Sequence, residues 1–529
     1  MQFLAVVKLR PDTPPEKVGP LVKPEAAKAT TGEAGNAFSG AYAATVSESG
    51  KGTLSSSKSD AGLSQSGSGS ETDAGSETDT GTTLSGSFTA NGSTSTTTTQ
   101  GDAGDDFTGG YSSTTAVVGQ TSGTRSGGGN GVSHSQASSQ TTGTTTQDQG
   151  DDDSGAQTVS TRATASSSVT ETGTDQGSNT NYSLAQGTTG TTSTVATLDD
   201  YTGSDSTTVT TTGAATVTAT GGNSAGAYSQ GTQTSTGTTW QQSGDDETGD
   251  YSGSGTQGST VEIQETTGNA AGGSSYTETS TASGTTQESG NAFSGDYSRA
   301  SAGTTSVVLD DSGSDAQGSY TVEQTTSSTT SRQESGNKVS GSYTATGTGS
   351  DSYSLMETVT GSAGFSLSET GSDATTLAES GNTVDATYSR AVSGSDGYVL
   401  GETGSTAAGG YSAGVQGSET ASWAETGNSA AQTFSRSEGG SGTYTRAETG
   451  PGATRGGDSG SYSYGLTESG DWHAGSAGQS ETGTDRYGLL ESFDNVSASK
   501  NGTPGHLDFS PFGRRTAIHR DGTKHMKRK

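Results

Sequence analysis

The side chains in this chain best equipped for chemistry are carboxylates in short runs: Asp102 with Asp105 and Asp106, Asp151 to Asp153, Asp199 and Asp200, and Asp245, Asp246 and Glu247. They are hard oxygen donors of the kind calcium takes. Their spacing follows neither an EF-hand loop nor the glycine-rich nonapeptide of calcium-binding β-rolls. They read first as solvated turn acids that keep a sheet edge soluble, and weak calcium binding stays open. His134, His473, His506, His519 and His525 are too scattered to form a ligand set. With no cysteine in the chain there is neither a disulfide nor a Cys-based zinc site.

Gly457-Asp-Ser-Gly460 matches the phrase around the nucleophile of chymotrypsin-like proteases. A chain built from Gly, Ser and Asp makes that phrase by chance, and Ser459 would need a base and an orienting acid on a packed scaffold. Gly127 to Gly131 and Gly50-Lys51-Gly52 lack the spacing and the strand-to-helix setting of a phosphate loop, and read as turns. No catalytic, cofactor-binding or metal residue is assigned, and the chain is read as non-enzymatic.

Whatever surface these residues form must be built by a repeat. Glycines that open a near-identical phrase stand at Gly244, Gly268, Gly290, Gly313, Gly336, Gly381, Gly404, Gly427 and Gly450, in steps of about 23 residues with one double step. The phrase is clearest as Glu288-Ser-Gly-Asn-Ala-Phe-Ser-Gly-Asp-Tyr297. It returns at Glu334 to Tyr343 and Glu379 to Tyr388, with looser copies ending at Tyr42, Tyr111 and Tyr251. A repeat of this length is one supersecondary unit, copied and stacked. The spacing predicts two short strands and two turns per unit: a Glu-Ser/Thr-Gly-Asn turn, then a Gly/Ser/Asp turn such as Gly349-Ser-Asp or Gly394-Ser-Asp. Tyr343 with Tyr353, Tyr388 with Tyr398, and Phe434 with Tyr444 would then face each other across a hairpin, with Leu355, Leu377 and Leu400 in a thin apolar stripe. The register is blurred between about 112 and 240.

Composition limits the interior. Of 529 residues 86 are glycine and 24% are hydrophobic, with a formal charge of −32, which rules out one large core and makes disorder the structural rival. Proline argues against it: five prolines lie in the first 24 residues, three lie at 451 and beyond, and none falls between, as suits a hydrogen-bonded ladder. The expected fold is all-β, an elongated array that is either a β-solenoid or an antiparallel meander, the alternative being a largely disordered chain. Residues 30–490 form this acidic array. The basic tail, 514–529, carries seven basic residues and one acid; it reads as a disordered end, with no nucleic-acid role. No apolar run is long enough for a membrane helix, and Met1 to Lys8 is too short for a signal peptide.

Two resemblances follow. Residues 1–29, with Phe3 to Leu9 as a strand and Val18 to Ala29 as a helix, resemble the start of a muconolactone isomerase or YCII-related ferredoxin-like domain. The rest of that domain is missing, so no activity is carried over. Thr484 to Ser497 and Gly502 to Arg515, with Phe493-Asp494 and Asp508-Phe-Ser-Pro-Phe-Gly-Arg514, are similar to degenerate Tyr-Asp-x-x-Gly-Arg elements of planctomycete RHS or YD-repeat proteins. The similarity spans about 240–515, with 491–513 as its terminal segment. It implies a bacterial β-rich repeat protein, extracellular or at the cell surface, without implying a toxin activity. The function expected is structural or adhesive, through repeated weak contacts to carbohydrate or other surface proteins. The alternative is a disordered acidic low-complexity or fusion product without a specific partner; the oligomeric state is open.

Overall fold

The computed structural model describes residues 30–37, 40–58, 65–83, 86–104, 110–129, 132–151, 153–176, 179–223, 226–269, 271–361, 364–406, 409–450, 455–471, 476–493 and 496–502, with side chains described within 91–97 and 110–488. The ferredoxin-like fragment at 1–29, Asp508 to Arg514 and the basic tail lie outside the described residues. Among the described residues all regular structure is β-strand.

The chain forms two compact units, Met1–Val195 and Ala196–Lys529. The first holds β1 (Thr30–Ala37), β2 (Gly40–Lys58), β3 (Gln65–Thr83), β4 (Gly86–Gly104), β5 (Gly110–Gly129), β6 (Val132–Asp151), β7 (Ala156–Asp175) and most of β8 (Thr180–Asp199). The second holds β9 (Ser204–Asn223), β10 (Gly226–Asp245), β11 (Asp250–Asn269), β12 (Gly272–Asn291), β13 (Asp296–Asp315), β14 (Gly318–Asn337), β15 (Ser342–Val359), β16 (Phe365–Asn382), β17 (Thr387–Thr406), β18 (Gly409–Asn428), β19 (Thr433–Thr449), β20 (Arg455–Asp471), β21 (Ser476–Phe493) and β22 (Val496–Gly502). Within each unit successive strands pair antiparallel, so the array is a meander and not a solenoid.

The repeat is therefore divided differently from the expectation. One unit is a single long strand plus one turn. Strands β9 to β14 are each 20 residues long. Their loops alternate between four residues, as from Asn291 to Asp296, and two, as from Asp315 to Gly318. Alternation of short and long loops makes the hairpin the full repeat and splits it into unequal halves. Strands of the same 20-residue length run on through β5 to β10, where the sequence phrase fades, but the three loops between Asp151 and Ser204 all have four residues, so the alternation lapses there.

The expected second turns do not exist. Gly349-Ser-Asp lies inside β15 and Gly394-Ser-Asp inside β17; Gly50-Lys51-Gly52 and Gly127 to Gly129 are likewise strand. Tyr388 and Tyr398 share β17, as Tyr343 and Tyr353 share β15, ten residues apart on one face, so they are not cross-strand partners.

The turns that do form sit at the asparagine. The Asn291 carboxamide oxygen accepts the amides of Phe293 and Ser294, Gly295 N–H closes back on the Asn291 carbonyl, and Gly295 has φ 78°. The left-handed residue is thus the second glycine of the phrase, five residues after Gly290. Ala386 and Gln432 take the same conformation at φ 57° and 56° without being glycine. Asn337 Nδ2 donates to Ser294 O and to Asp296 Oδ1 at 2.9 and 2.6 Å, and Asn291 Nδ2 repeats this on Thr248 O and Asp250. The turns entered at Asn291, Asn337, Asn382 and Asn428 are each tied by the carboxamide to the four-residue turn one hairpin earlier.

Candidate functional surface

Strand alternation separates two chemistries. On one face of β14 to β18 stand the aromatic rings, most branched apolar chains and nearly every charge; the other face is mainly Ser, Thr, Gly and Ala, with Glu323, Met356, Val399 and Gln416 among them. The row through Thr304, Thr329, Ser350, Ala374, Ser395, Thr420 and Ser441 is read from the register of seven strands. Hydroxyls in and beside it bond one another, as in Thr329 with Ser350 at 2.6 Å and Thr376 with Ser393 at 2.6 Å. Among the described residues the only fully buried apolar side chain is Ala345, 1% exposed.

The aromatic face is organised by a tyrosine, a glycine and a carboxylate. Tyr297 is opposite Gly336, Tyr343 opposite Gly381 and Tyr388 opposite Gly427. In each case the ring occupies the space a Cβ on the glycine would need: the added carbon would lie 2.9 Å from Tyr297 Cε1 at Gly336 and 2.9 Å from Tyr343 Cε1 at Gly381. The hydroxyl then reaches the carboxylate two residues before that glycine. Tyr297 donates to Glu334 at 3.0 Å, Tyr343 to Glu379 at 3.1 Å and Tyr388 to Glu425 at 2.8 Å. The Glu-Ser/Thr-Gly phrase is therefore a receptor for a neighbouring tyrosine, and only the asparagine after it begins the turn. Asp-Ser-Gly does the same: Tyr320 lies over Gly313 and bonds Asp311 at 3.2 Å. So does the protease-like phrase, in which Gly460 receives the Tyr444 ring and Asp458 faces its hydroxyl. Ser459 is on the opposite, hydroxyl-bearing face, opposite Thr445, and His473 lies outside the described residues.

Charges on this face run in rows. Glu288, Arg299, Glu334, Ala345, Glu379, Arg390, Glu425 and Arg436 follow one another across eight strands. Arg390 and Arg436 sit on either side of the Trp423 ring at 5.3 and 5.5 Å. A second row has one sign only: Asp351 opposite Asp373, Asp373 opposite Asp396, and Asp396 opposite Glu419. Partial burial, then the charges of Asp351 and Asp396, push the Asp373 carboxyl above its ordinary value. Protonating it relieves repulsion, so this contribution is fully present below the ordinary carboxylate range and is lost as pH rises through the raised value. Asp373→Asn is expected to stabilise the sheet at neutral pH by about 0.5 kcal/mol, because like charges directly opposite destabilise and solvent screens them. Thermal unfolding at neutral and acid pH checks this; the gain should shrink on acidification, and an equal gain at both ends would contradict it.

Of the acidic runs named from the sequence, Asp151, Asp199 and Asp245 cap turns, while Asp102 lies inside β4. The backbone amides of Thr202 and Tyr201 hold Asp199 below its ordinary range, and those of Thr248 and Glu247 do so for Asp245. Asp151 caps Asp153 and Ser154 in the same way. Asp105 and Asp106 lie outside the described residues. Among the described residues no three His, Cys, Asp or Glu side chains converge as a metal site, and no helix is long and apolar enough to cross a membrane. Sequence reasoning missed the Asp351 to Glu419 row because its members stand one strand and turn apart, and only the long-strand register brings them together. Their shared parity with Tyr353 and Tyr398 was the available signal.

At the four-residue turns, Tyr201, Phe293, Val339 and Val384 are exposed by 66 to 70%. Phe293 and Val339 lean on the left-handed glycines of the preceding turns, Gly249 and Gly295.

No family model matches the chain, and no curated protein matches it. Solved structures give slight likenesses. The ferric preacinetobactin receptor BauA of Acinetobacter baumannii is 7% identical over 90% of this chain and 78% of that one, at a TM-score of 0.23. The outer membrane transporter YddB of Escherichia coli is 8% identical over 87% and 76%, at 0.23. The alcaligin outer membrane receptor FauA of Bordetella pertussis is 8% identical over 77% and 75%, at 0.21. Likenesses of this size do not establish a shared fold.

Proposed function

We propose that the chain is a non-enzymatic structural and adhesive scaffold of the bacterial cell surface or envelope. It acts through many weak contacts of one kind, to carbohydrate or to other surface proteins. The observation that carries this reading is the repetition of one side-chain set along the sheet, the tyrosine–glycine–carboxylate set at Tyr297, Tyr343 and Tyr388. Identical contacts on a common scaffold add through effective concentration. The similarity of residues about 240–515 to RHS or YD-repeat proteins supports the surface setting.

Neither face favours a place inside the bilayer. A membrane strand needs an outward apolar band; β15 offers Ser and Thr on one side and Asp351 and Glu357 among the tyrosines on the other. The sheet is therefore proposed to work outside the membrane.

The test is surface exposure on intact cells. Antibody should stain cells producing the full chain, and protease added outside should remove the staining. A chain confined to the cytosolic fraction would defeat the reading.

A further inference from the structure

We propose that the central tyrosine row of the second unit, Tyr353, Tyr398 and Tyr444, is a track for an extended, uncharged, β-linked polysaccharide, one disaccharide to each ring. The proposal rests on the adhesive reading above and gives it a ligand class.

The row is set by register: Tyr353 is opposite Gly371, Gly371 opposite Tyr398, Tyr398 opposite Gly417, Gly417 opposite Tyr444, and Tyr444 opposite Gly460. Each ring lies over the glycine of the next strand, so no side chain stands between one ring and the next. Tyr444 is 38% exposed, and Tyr353 and Tyr398 are half-buried, so each ring keeps some surface open to solvent. The Tyr353 hydroxyl is held by Glu369 at 2.7 Å, which fixes the ring before anything binds. Rings on alternate strands are about 9.6 Å apart, twice the inter-strand spacing. That is the length scale of two sugars in a straight β-linked chain, whose C–H faces stack on aromatic rings.

The borders of the track choose the occupant. Asp351, Asp373, Asp396 and Glu419 run along one side, two residues from the rings. Ionised carboxylates only accept hydrogen bonds, which suits sugar hydroxyls and repels a polyanion. Leu355, Glu369, Leu400, Val415 and Arg446 stand on the other side, with Glu369 engaged by the Tyr353 hydroxyl and Arg446 paired with Glu448. The opposite face of the sheet carries hydroxyls and no ring, so it lacks the stacking element.

The full chain titrated with cellohexaose, followed by calorimetry, tests the track. Binding is expected, with maltohexaose, whose α-linkages coil the chain, and hyaluronate bound far more weakly. Tyr398→Ala should weaken cellohexaose binding about tenfold, and Tyr398→Phe should leave it unchanged, since the ring and not the hydroxyl stacks. Tyr320→Ala removes the same ring-on-glycine contact outside the track and should also leave it unchanged, which separates loss of a binding ring from general loosening. Equal loss in Tyr398→Ala and Tyr320→Ala, no binding of cellohexaose by the folded chain, or preference for polylysine over cellohexaose would overturn the proposal. If cellohexaose does not bind while the chain is exposed on intact cells, the track fails and the adhesive reading stands.

Discussion

Leucine in place of Gly336 is expected to destabilise the second unit by about 2 kcal/mol, the usual cost of forcing extra carbon into a filled site. A Cβ there would meet Ser342 O at 2.5 Å and the Tyr297 ring at 2.9 Å, and the ring has its hydroxyl tied to Glu334. The backbone oxygen cannot retreat without breaking the register at the turn, so the ring must leave its glycine and its carboxylate together. Gly401 is the control. It is also inside a strand, but a Cβ added there meets nothing within 4 Å. Gly401→Ala is expected to be neutral or to stabilise by about 0.5 kcal/mol, because alanine restricts the unfolded chain more than glycine does. Denaturant unfolding of the two variants measures the contrast. Similar losses at both positions would mean that glycine serves backbone flexibility here and not ring packing.

Alkaline unfolding should be the steepest response of this protein to pH. Tyr276 has its hydroxyl on Glu278 at 2.5 Å, and that bond, with partial burial and the charge of Glu278, pushes its pKa up to about 12. Tyr182 and Tyr411 are raised first by their bonds to Glu171 and Glu402; Tyr297, Tyr343 and Tyr388 are raised first by partial burial and then by their glutamates. A phenol whose folded pKa exceeds its unfolded value of about 10 stabilises the fold fully below that value, and this is lost as pH rises through the folded one. Tyrosinate absorbance should therefore appear above pH 10, together with loss of the β-sheet circular dichroism signal. Smooth ionisation near 10 with the sheet signal intact would contradict the tyrosine–carboxylate bonds.

The repeat, the all-β class and the absence of proline from residues 25–450 were legible in the sequence, because each follows from local chemistry. The division of the repeat was not. Gly349-Ser-Asp and Gly394-Ser-Asp have turn composition, yet both are strand. Local preference for a turn is outweighed by ladders on both sides and by the packing of rings on the glycines across the strand, as Tyr398 on Gly417. The real turn is half visible: Asn291 does begin it, but the left-handed residue is Gly295 and not the neighbouring Gly290. Two-faced chemistry was present as parity, since Glu288, Gly290 and Tyr297 can share a face only if a turn of even length lies between them. Placing that turn at the asparagine, and nowhere else, would have given the long strand.

The most direct measurement is a spin-label distance between Ser389→Cys and Val399→Cys in the full chain, which has no cysteine of its own. Both positions lie in β17, ten residues apart on the hydroxyl face. One continuous strand is expected to hold them about 33 Å apart in a narrow distribution. A narrow distance of only about two inter-strand spacings, as in a hairpin of short strands, or a broad distribution typical of coil, would contradict it.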